Sequence, residues 1–234
     1  MSLRRIASSV TPRRVKHVIR AIFDASQGGE ASLLKSLTRK FDCERFIVDV
    51  GANDGLTISN SLPFVKLGWR AILIEPAPAA YAKLAKNFSG QANVHCIQAA
   101  CSDKTGEANF FLGTDAEDGL LGTLCQSDND WFAVARSTKS VIVKTDTLTN
   151  ILRSNGSPRQ PGILLVDAEA MDYEVLLGLD FSEFRPTLIC TEEYELEPHK
   201  HAAKYSLLIE NGYGLVQKVG CNTVWVDRAA AKSK

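Results

Sequence analysis

The chain has 234 residues, 45% of them hydrophobic, and its 27 basic and 27 acidic side chains leave no formal net charge. That length and apolar content support one continuous core, and the charge balance does not support a general nucleic-acid-binding surface, which leaves RNA binding only through a local patch. No apolar run approaches the roughly 20 residues needed to cross a membrane, and no signal-peptide hydrophobic region is present, so the expected location is the cytoplasm.

Residues 1–40 read as a basic helical appendage ahead of a main domain over 41–234. Arg4, Arg5, Arg13, Arg14, Lys16 and Arg20 precede the first acid, Asp24, while Val15, Val18, Ile19 and Ile22 recur at helical spacing. The pattern predicts a basic amphipathic helix over 12–24, with Pro12 suited to its first turn. Such a helix packs its apolar stripe on the main domain, touches an anionic membrane face through residues 1–25, or serves as a mitochondrial targeting peptide. Gln27-Gly28-Gly29 reads as a hinge before a second short helix over 31–39.

From Phe46 the chain alternates strands and helices. Strands are expected over 46–50, 71–75, 94–98, 163–167 and 187–191, with helices over 79–88, 173–178 and 201–211. Short strands joined by helices imply right-handed crossovers and a parallel sheet. A hairpin over 214–218 and 223–227 ends the chain. Further strands over 106–112 and 140–144 flank an irregular stretch, 113–139, which carries Gly119, Gly122, Trp131 and many acids. A stretch that long inside a compact domain reads as a lid or binding loop, with Trp131 and Phe132 lining an acceptor pocket or anchoring the lid.

The chemistry concentrates where the first strand ends. Phe46-Ile-Val-Asp49-Val-Gly51-Ala-Asn53-Asp54-Gly55 is a buried apolar run entering a tight turn, and twenty residues later Glu75 ends the next strand. Gly51 and Gly55 permit positive φ and close backbone approach, and Asn53 tolerates the left-handed region. An acid at the Glu75 position can accept from both hydroxyls of a ribose. G-x-G-x-x-G is absent, which argues against a nicotinamide or flavin site. On this segment alone, a glycine turn in some other α/β protein remains the alternative.

Over 46–227 the chain resembles the FkbM family of S-adenosylmethionine-dependent methyltransferases. Asp49-Val-Gly-Ala-Asn-Asp-Gly55 is similar to the family's first motif, its acid-x-Gly-x-Gly-x-Gly spacing carrying Asn53 in place of the middle glycine. Ile74-Glu75-Pro76-Ala-Pro78 resembles the acid-Pro-x-Pro segment, and Gln98-Ala-Ala-Cys-Ser-Asp103 the end of the third strand. Asp167-Ala-Glu169-Ala-Met-Asp172-Tyr-Glu-Val-Leu-Leu-Gly178 resembles the most specific signature, and Arg185-Pro-Thr-Leu-Ile-Cys-Thr-Glu192 the fifth strand. Ala170 stands where the signature has glycine, Leu165 where many relatives have Lys or Ser, and Thr149 where Asp is usual. The resemblance implies a Rossmann-like α/β fold: a seven-stranded, mostly parallel class I methyltransferase sheet ending in an antiparallel hairpin.

It also implies S-adenosylmethionine as cofactor, bound across the carboxyl ends of the strands. Gly51, Asn53 and Gly55 would line its methionyl part, Glu75 its ribose, and Ala100, Ser102 or Asp103 its adenine; Pro76 stiffens the turn behind Glu75, Asp167 faces the methyl group, and Asp49 and Asp54 complete the expected cofactor-binding set. Methyl transfer to a hydroxyl needs a proton acceptor, so Asp167, Glu169, Asp172 and Glu192 are the catalytic candidates, Asp167 first as general base. Glu193 and His199 could complete a second wall. A divalent metal held by Asp167, Glu169 and Glu192 or Glu193 is the less favoured account, and helix capping or acceptor binding by the acids is a further one. His199-Lys200-His201 reads as a solvated surface run, since residues two apart diverge on a helix and no third ligand is specified. The six cysteines lack a C-x-x-C and read as free thiols.

The reading is O-methylation of a sugar, a polysaccharide or another hydroxylated small molecule. Its alternatives are N-methylation of protein or RNA, and a noncatalytic nucleoside-binding module. Oligomeric state is not legible in the sequence.

Overall fold

The computed structural model describes residues 29–112, 122–124, 139–193 and 197–232. The expected helix over 12–24, the membrane or targeting segment, Gln27, Gly28, Gly119, Trp131 and Phe132 lie outside the described residues. The elements in chain order are α1 (Glu30–Phe41), β1 (Phe46–Val50), α2 (Leu62–Val65), β2 (Arg70–Ile74), α3 (Pro78–Asn87), β3 (Val94–Ile97), β4 (Ala100–Ser102), β5 (Gly106–Phe111) and β6 (Ser140–Thr147). They continue with α4 (Leu148–Ser154), β7 (Ile163–Val166), α5 (Asp172–Leu177), β8 (Leu188–Glu192), α6 (Pro198–Glu210), β9 (Tyr213–Val219), β10 (Asn222–Asp227) and α7 (Arg228–Lys232).

Seven strands form one sheet in the order β3-β2-β1-β7-β8-β10-β9. The β1–β2, β2–β3, β1–β7 and β7–β8 pairs are parallel, and β10 runs antiparallel to both β8 and β9. This is the Rossmann-like sheet with a terminal antiparallel hairpin. All residues of β1 and β7 are buried, as strands covered on both faces should be. The order reverses beside β1, which has its successor β2 on one side and the later β7 on the other. A crevice therefore opens at the carboxyl ends of β1 and β7, where open α/β sheets bind ligands.

Alternation along the strands divides the core in two. Val48, Val50, Leu164 and Val166 face one layer with Leu148, Leu152, Val175 and Leu176 of the helices. Ile47, Ile163, Leu165 and Cys190 face the other, with Leu34 and Leu37 of α1. The helix expected over 31–39 is thus α1, and its Ala31, Leu34 and Leu37 are core residues. The strands expected over 106–112 and 140–144 leave the main sheet. As β5 and β6 they join β4 in a separate three-stranded sheet, ordered β4-β6-β5, whose Phe110, Val143 and Ala100 pack on Ala77 and Ala80. Among the described residues no helix is long and apolar enough to cross a membrane.

Candidate active site

The turn after β1 is built on glycine. Gly51 has φ 85°, and its N–H and that of Ala52 both donate to the Ile74 carbonyl at 3.0 Å. A Cβ on Gly51 would stand 1.9 Å from the main-chain oxygen of Asp167, so the ends of β1 and β7 approach too closely for any side chain there. Asn53 takes φ 49°, the left-handed conformation its residue type tolerates. Gly55, at φ 72°, serves packing: a Cβ would lie 2.3 Å from the Phe88 ring and 2.7 Å from Leu84 of α3.

The turn delivers a donor to the end of β2. Asn53 N–H donates to Glu75 Oε2 at 2.9 Å, and Ala77 N–H donates to Glu75 Oε1 at 2.8 Å. Glu75 is therefore fixed with one lone-pair direction open on each oxygen, the arrangement a vicinal diol can use. Burial raises its carboxyl to about 7, against the pull of the two N–H donors. Asp49 is likewise lifted to about 6 by burial, with Ser61 Oγ donating to its Oδ2 and Asp167 adding repulsion.

A cavity of about 330 Å³ lies over these strand ends. Of the residues expected to hold the cofactor, Asp49, Gly51, Asn53, Glu75, Pro76, Ala100 and Asp167 line it. Asp54, Gly55, Ser102 and Asp103 lie outside the lining. Asp54 caps the turn instead, accepting from Leu56 N–H at 2.8 Å and Thr57 N–H at 2.7 Å. Ser102 donates to the exposed Asp103 at 3.2 Å, while its carbonyl abuts Gly178.

The acids beyond β7 separate into two kinds. Asp167 and Glu169 line the cavity; Asp172 and Glu192 do not. Asp172 is fully buried and accepts from Ala168 N–H and Glu192 N–H, both at 2.9 Å, so it ties the end of β7 to the end of β8. Lys204 of α6, also fully buried, stands 4.0 Å from Asp172 and donates to the Glu192 carbonyl. The Glu192 side chain is pushed well above the carboxylate range by burial and by Asp167, and its Oε2 has no partner among the described residues. Asp167 is raised by burial and by Glu30.

Glu169 and Ala170 occupy the left-handed region, at φ 49° and 70°. Ala170 thus adopts the conformation a glycine takes freely, so its turn keeps the glycine geometry at a local cost of about 1–2 kcal/mol. Thr123 Oγ1 donates to the Glu169 carbonyl at 2.7 Å and holds this turn from above. Thr123 also bridges Phe111, and Phe110, Gly122 and Leu124 close the cavity on that side. Thr149 is structural: its hydroxyl donates to the Gly178 carbonyl at 2.8 Å and accepts from Asp180 N–H at 2.7 Å.

Glu193 accepts from Tyr205, Lys218 and His201, and His199 lies exposed beside Glu197. Among the described residues no group of three His, Cys, Asp or Glu side chains is arranged to hold a metal ion. Five cysteines, Cys43, Cys96, Cys101, Cys190 and Cys221, are free thiols. The sequence reading passed over Ser59, Asn60, Ser61, Asn222 and Lys204. The Ser-Asn-Ser run after the glycine turn was a local signal; nothing local marks the other two.

The Methyltransferase FkbM domain matches residues 49–215 of the chain. No curated protein matches the sequence. Among solved structures the chain is similar to a candidate caffeoyl-CoA O-methyltransferase from Staphylococcus aureus, with 10% identity and TM-score 0.50, covering 93% of each chain. It is similar to the O-methyltransferase from Bacillus cereus in complex with SAH, with 11% identity and TM-score 0.49, covering 95% of this chain and 96% of that one. The Methanococcus jannaschii fibrillarin pre-rRNA processing protein aligns with 14% identity and TM-score 0.45, over 77% of this chain and 65% of that chain.

Proposed function

The chain belongs to the FkbM methyltransferase family and is an S-adenosylmethionine-dependent methyltransferase; from that premise we propose that it methylates a hydroxyl oxygen of a sugar or another hydroxylated small molecule. The observation that carries this reading is the Asp167 carboxyl, which lines the cavity next to the glycine turn. S-adenosylmethionine, when bound, supplies an activated methyl group on a sulfonium. The residues present fit it: Glu75 offers acceptors for the ribose, Ala99, Ala100 and Cys101 offer an apolar wall for the adenine, and the main chain of the Gly51 turn lines the cavity between them.

Asp167 takes the proton of the acceptor hydroxyl on its carboxylate, because an alcohol attacks well only as it loses that proton. Its raised affinity for protons brings it nearer to the working pH than an exposed aspartate would be. Glu169 orients the acceptor from the adjoining turn. Phe110 and Leu124 exclude water and offer apolar surface to one face of it. We assign α1 to the main domain, because its Leu34 and Leu37 belong to the core cluster of the sheet.

The test is formation of S-adenosylhomocysteine with a panel of free sugars, glycosides and small polyols. Methyl transfer confined to amine acceptors would overturn the oxygen assignment. Cofactor binding without product across hydroxyl and amine panels would identify a noncatalytic module.

A further inference from the structure

The α1-facing ends of β7, β8 and β10 carry an ordered row of polar side chains. Ile163, Leu165 and Asp167 point to one face of the sheet, as do Leu188, Cys190 and Glu192, and Val226, Val224 and Asn222. The register pairs Leu165 with Cys190 and Val166 with Thr191, which brings Asp167 level with Glu192, and it pairs Glu192 with Asn222. The apolar members of these columns pack with Leu34 and Leu37 of α1, so the polar members form the rim of that covered face. At the same level, Glu30 in the first turn of α1 is fully buried, and its Oε1 accepts from Asn222 Nδ2 at 3.1 Å.

Asn222 is only 4% exposed, yet it lines the cavity. Its amide nitrogen is committed to Glu30, with a longer 3.7 Å contact to the Cys221 sulfur. Its carbonyl oxygen accepts from no described residue. A carboxylate can only accept, so Glu30 dictates which end of the amide faces it and leaves the carbonyl for the other side. An acceptor that takes no hydrogen bond from a described residue, on a side chain that lines the cavity, can take one from the ligand.

The sign of the surroundings narrows that donor. The α1 side of the cavity carries Asp49 and Asp167 over a floor of Leu165 and Cys190, and no Lys, Arg or His is among the described lining residues. A cationic donor suits such a wall and an anion does not. This side is backed by α1, whose Leu34 and Leu37 share the core cluster of Leu165 and Cys190.

We propose that Asn222, oriented by Glu30, accepts a hydrogen bond from the α-ammonium of the cofactor's amino-acid tail, with Glu30 the positioning residue for that contact. The proposal rests on the cofactor reading above. Both residues lie outside the family-matched stretch 49–215, so this part of the site belongs to the flanking elements of this chain.

Calorimetry on the full chain at pH 7.5 tests it with two probes, S-adenosylmethionine and 5′-methylthioadenosine, which keeps the nucleoside and thioether but lacks the tail. Asn222→Leu is expected to weaken S-adenosylmethionine about tenfold or more and methylthioadenosine less than about twofold. Glu30→Gln, which offers donor and acceptor alike and frees the amide to turn, should weaken the first probe about three- to tenfold. It should add nothing in the Asn222→Leu background.

Equal weakening of both probes would mean a merely structural role, and unchanged S-adenosylmethionine affinity would remove the contact; either result overturns the proposal. If Asn222→Leu does not fold, Asn222→Ser, too short to reach the tail, decides by the same comparison. Failure of the unmodified chain to bind either probe would instead bring down the cofactor reading itself.

Discussion

Gly51 and the main-chain oxygen of Asp167 are so close that a Cβ on the glycine would stand 1.9 Å from that oxygen. The contact joins the two strands between which the sheet order reverses, and it sets the distance from the nucleoside-facing turn to the proposed base. With φ at 85°, alanine pays twice at this position, in backbone strain and in collision with rigid backbone. Gly51→Ala should cost about 3 kcal/mol or more in urea unfolding and abolish S-adenosylmethionine binding. A variant with parental stability would show that the turn can relax.

Asp49 is held near 6 in the fold, above its ordinary value of 3.8, chiefly by burial. Between about pH 4 and 6 the folded chain therefore keeps a proton that the unfolded chain has released. Stability from this group is fully present below that window and is lost as pH rises through it. Asp49→Asn removes the buried charge while keeping a partner for Ser61. At pH 7.5 the variant should be more stable than the parent by about 2–3 kcal/mol, and the gain should vanish below about pH 4. Urea unfolding at the two pH values checks this; equal stabilities at pH 7.5 would refute it.

Residues 29–41 are part of the folded core. Ala31 is 1% exposed, Leu34 0% and Leu37 7%, and the two leucines belong to one core cluster with Leu165, Cys190 and Val224. A chain beginning at Phe41 removes both leucines from that cluster. At about 1.5–3 kcal/mol for each leucine, it should lose about 4 kcal/mol or more, and with it the marginal stability of the fold. Circular dichroism melting of that truncation is the measurement, and a parental melting temperature would contradict it.

The sheet was legible in the sequence because its strands are continuous apolar runs set off by glycine and proline, and because β1 ends in a turn whose residue types allow little else. The strand ends of Asp49, Glu75 and Asp167 followed from the same pattern. Two things were not legible. The departure of β4, β5 and β6 into their own sheet depends on long-range pairing, such as Ala100 with Thr145, that no local periodicity encodes. The roles of Asp172 and Glu192 depend on Lys204, thirty-two and twelve residues downstream on a helix whose local pattern gives no sign of a buried cation.

That lysine yields its own expectation. Lys204 and Asp172 are both fully buried, 4.0 Å apart, and between them they hold the N–H and C=O of Glu192. Lys204→Met leaves a buried carboxylate without its cation and should destabilise the fold by about 3–5 kcal/mol. Guanidinium unfolding provides the check; a loss under about 1 kcal/mol would mean that the remaining partners of Asp172 suffice without the lysine.

The proposed mechanism turns on a difference between two kinds of strand-end acid. Asp167 lines the cavity, and no hydrogen bond from a described residue reaches its carboxyl, whereas both oxygens of Asp172 are taken by backbone N–H groups. Asp167→Asn keeps the shape and cannot take a proton, so it should leave S-adenosylmethionine affinity within about threefold while turnover falls about 10²–10⁴-fold. Because burial and Glu30 raise the Asp167 carboxyl, parental activity should fall on its acidic limb at a higher pH than an ordinary aspartate would give. That limb should be absent from the residual activity of the variant. Asp172→Asn, by contrast, should lower stability and turnover together, since one of its two backbone donors loses its acceptor. A near-parental rate for Asp167→Asn would leave proximity as the source of catalysis, with the cavity acids serving to orient the acceptor.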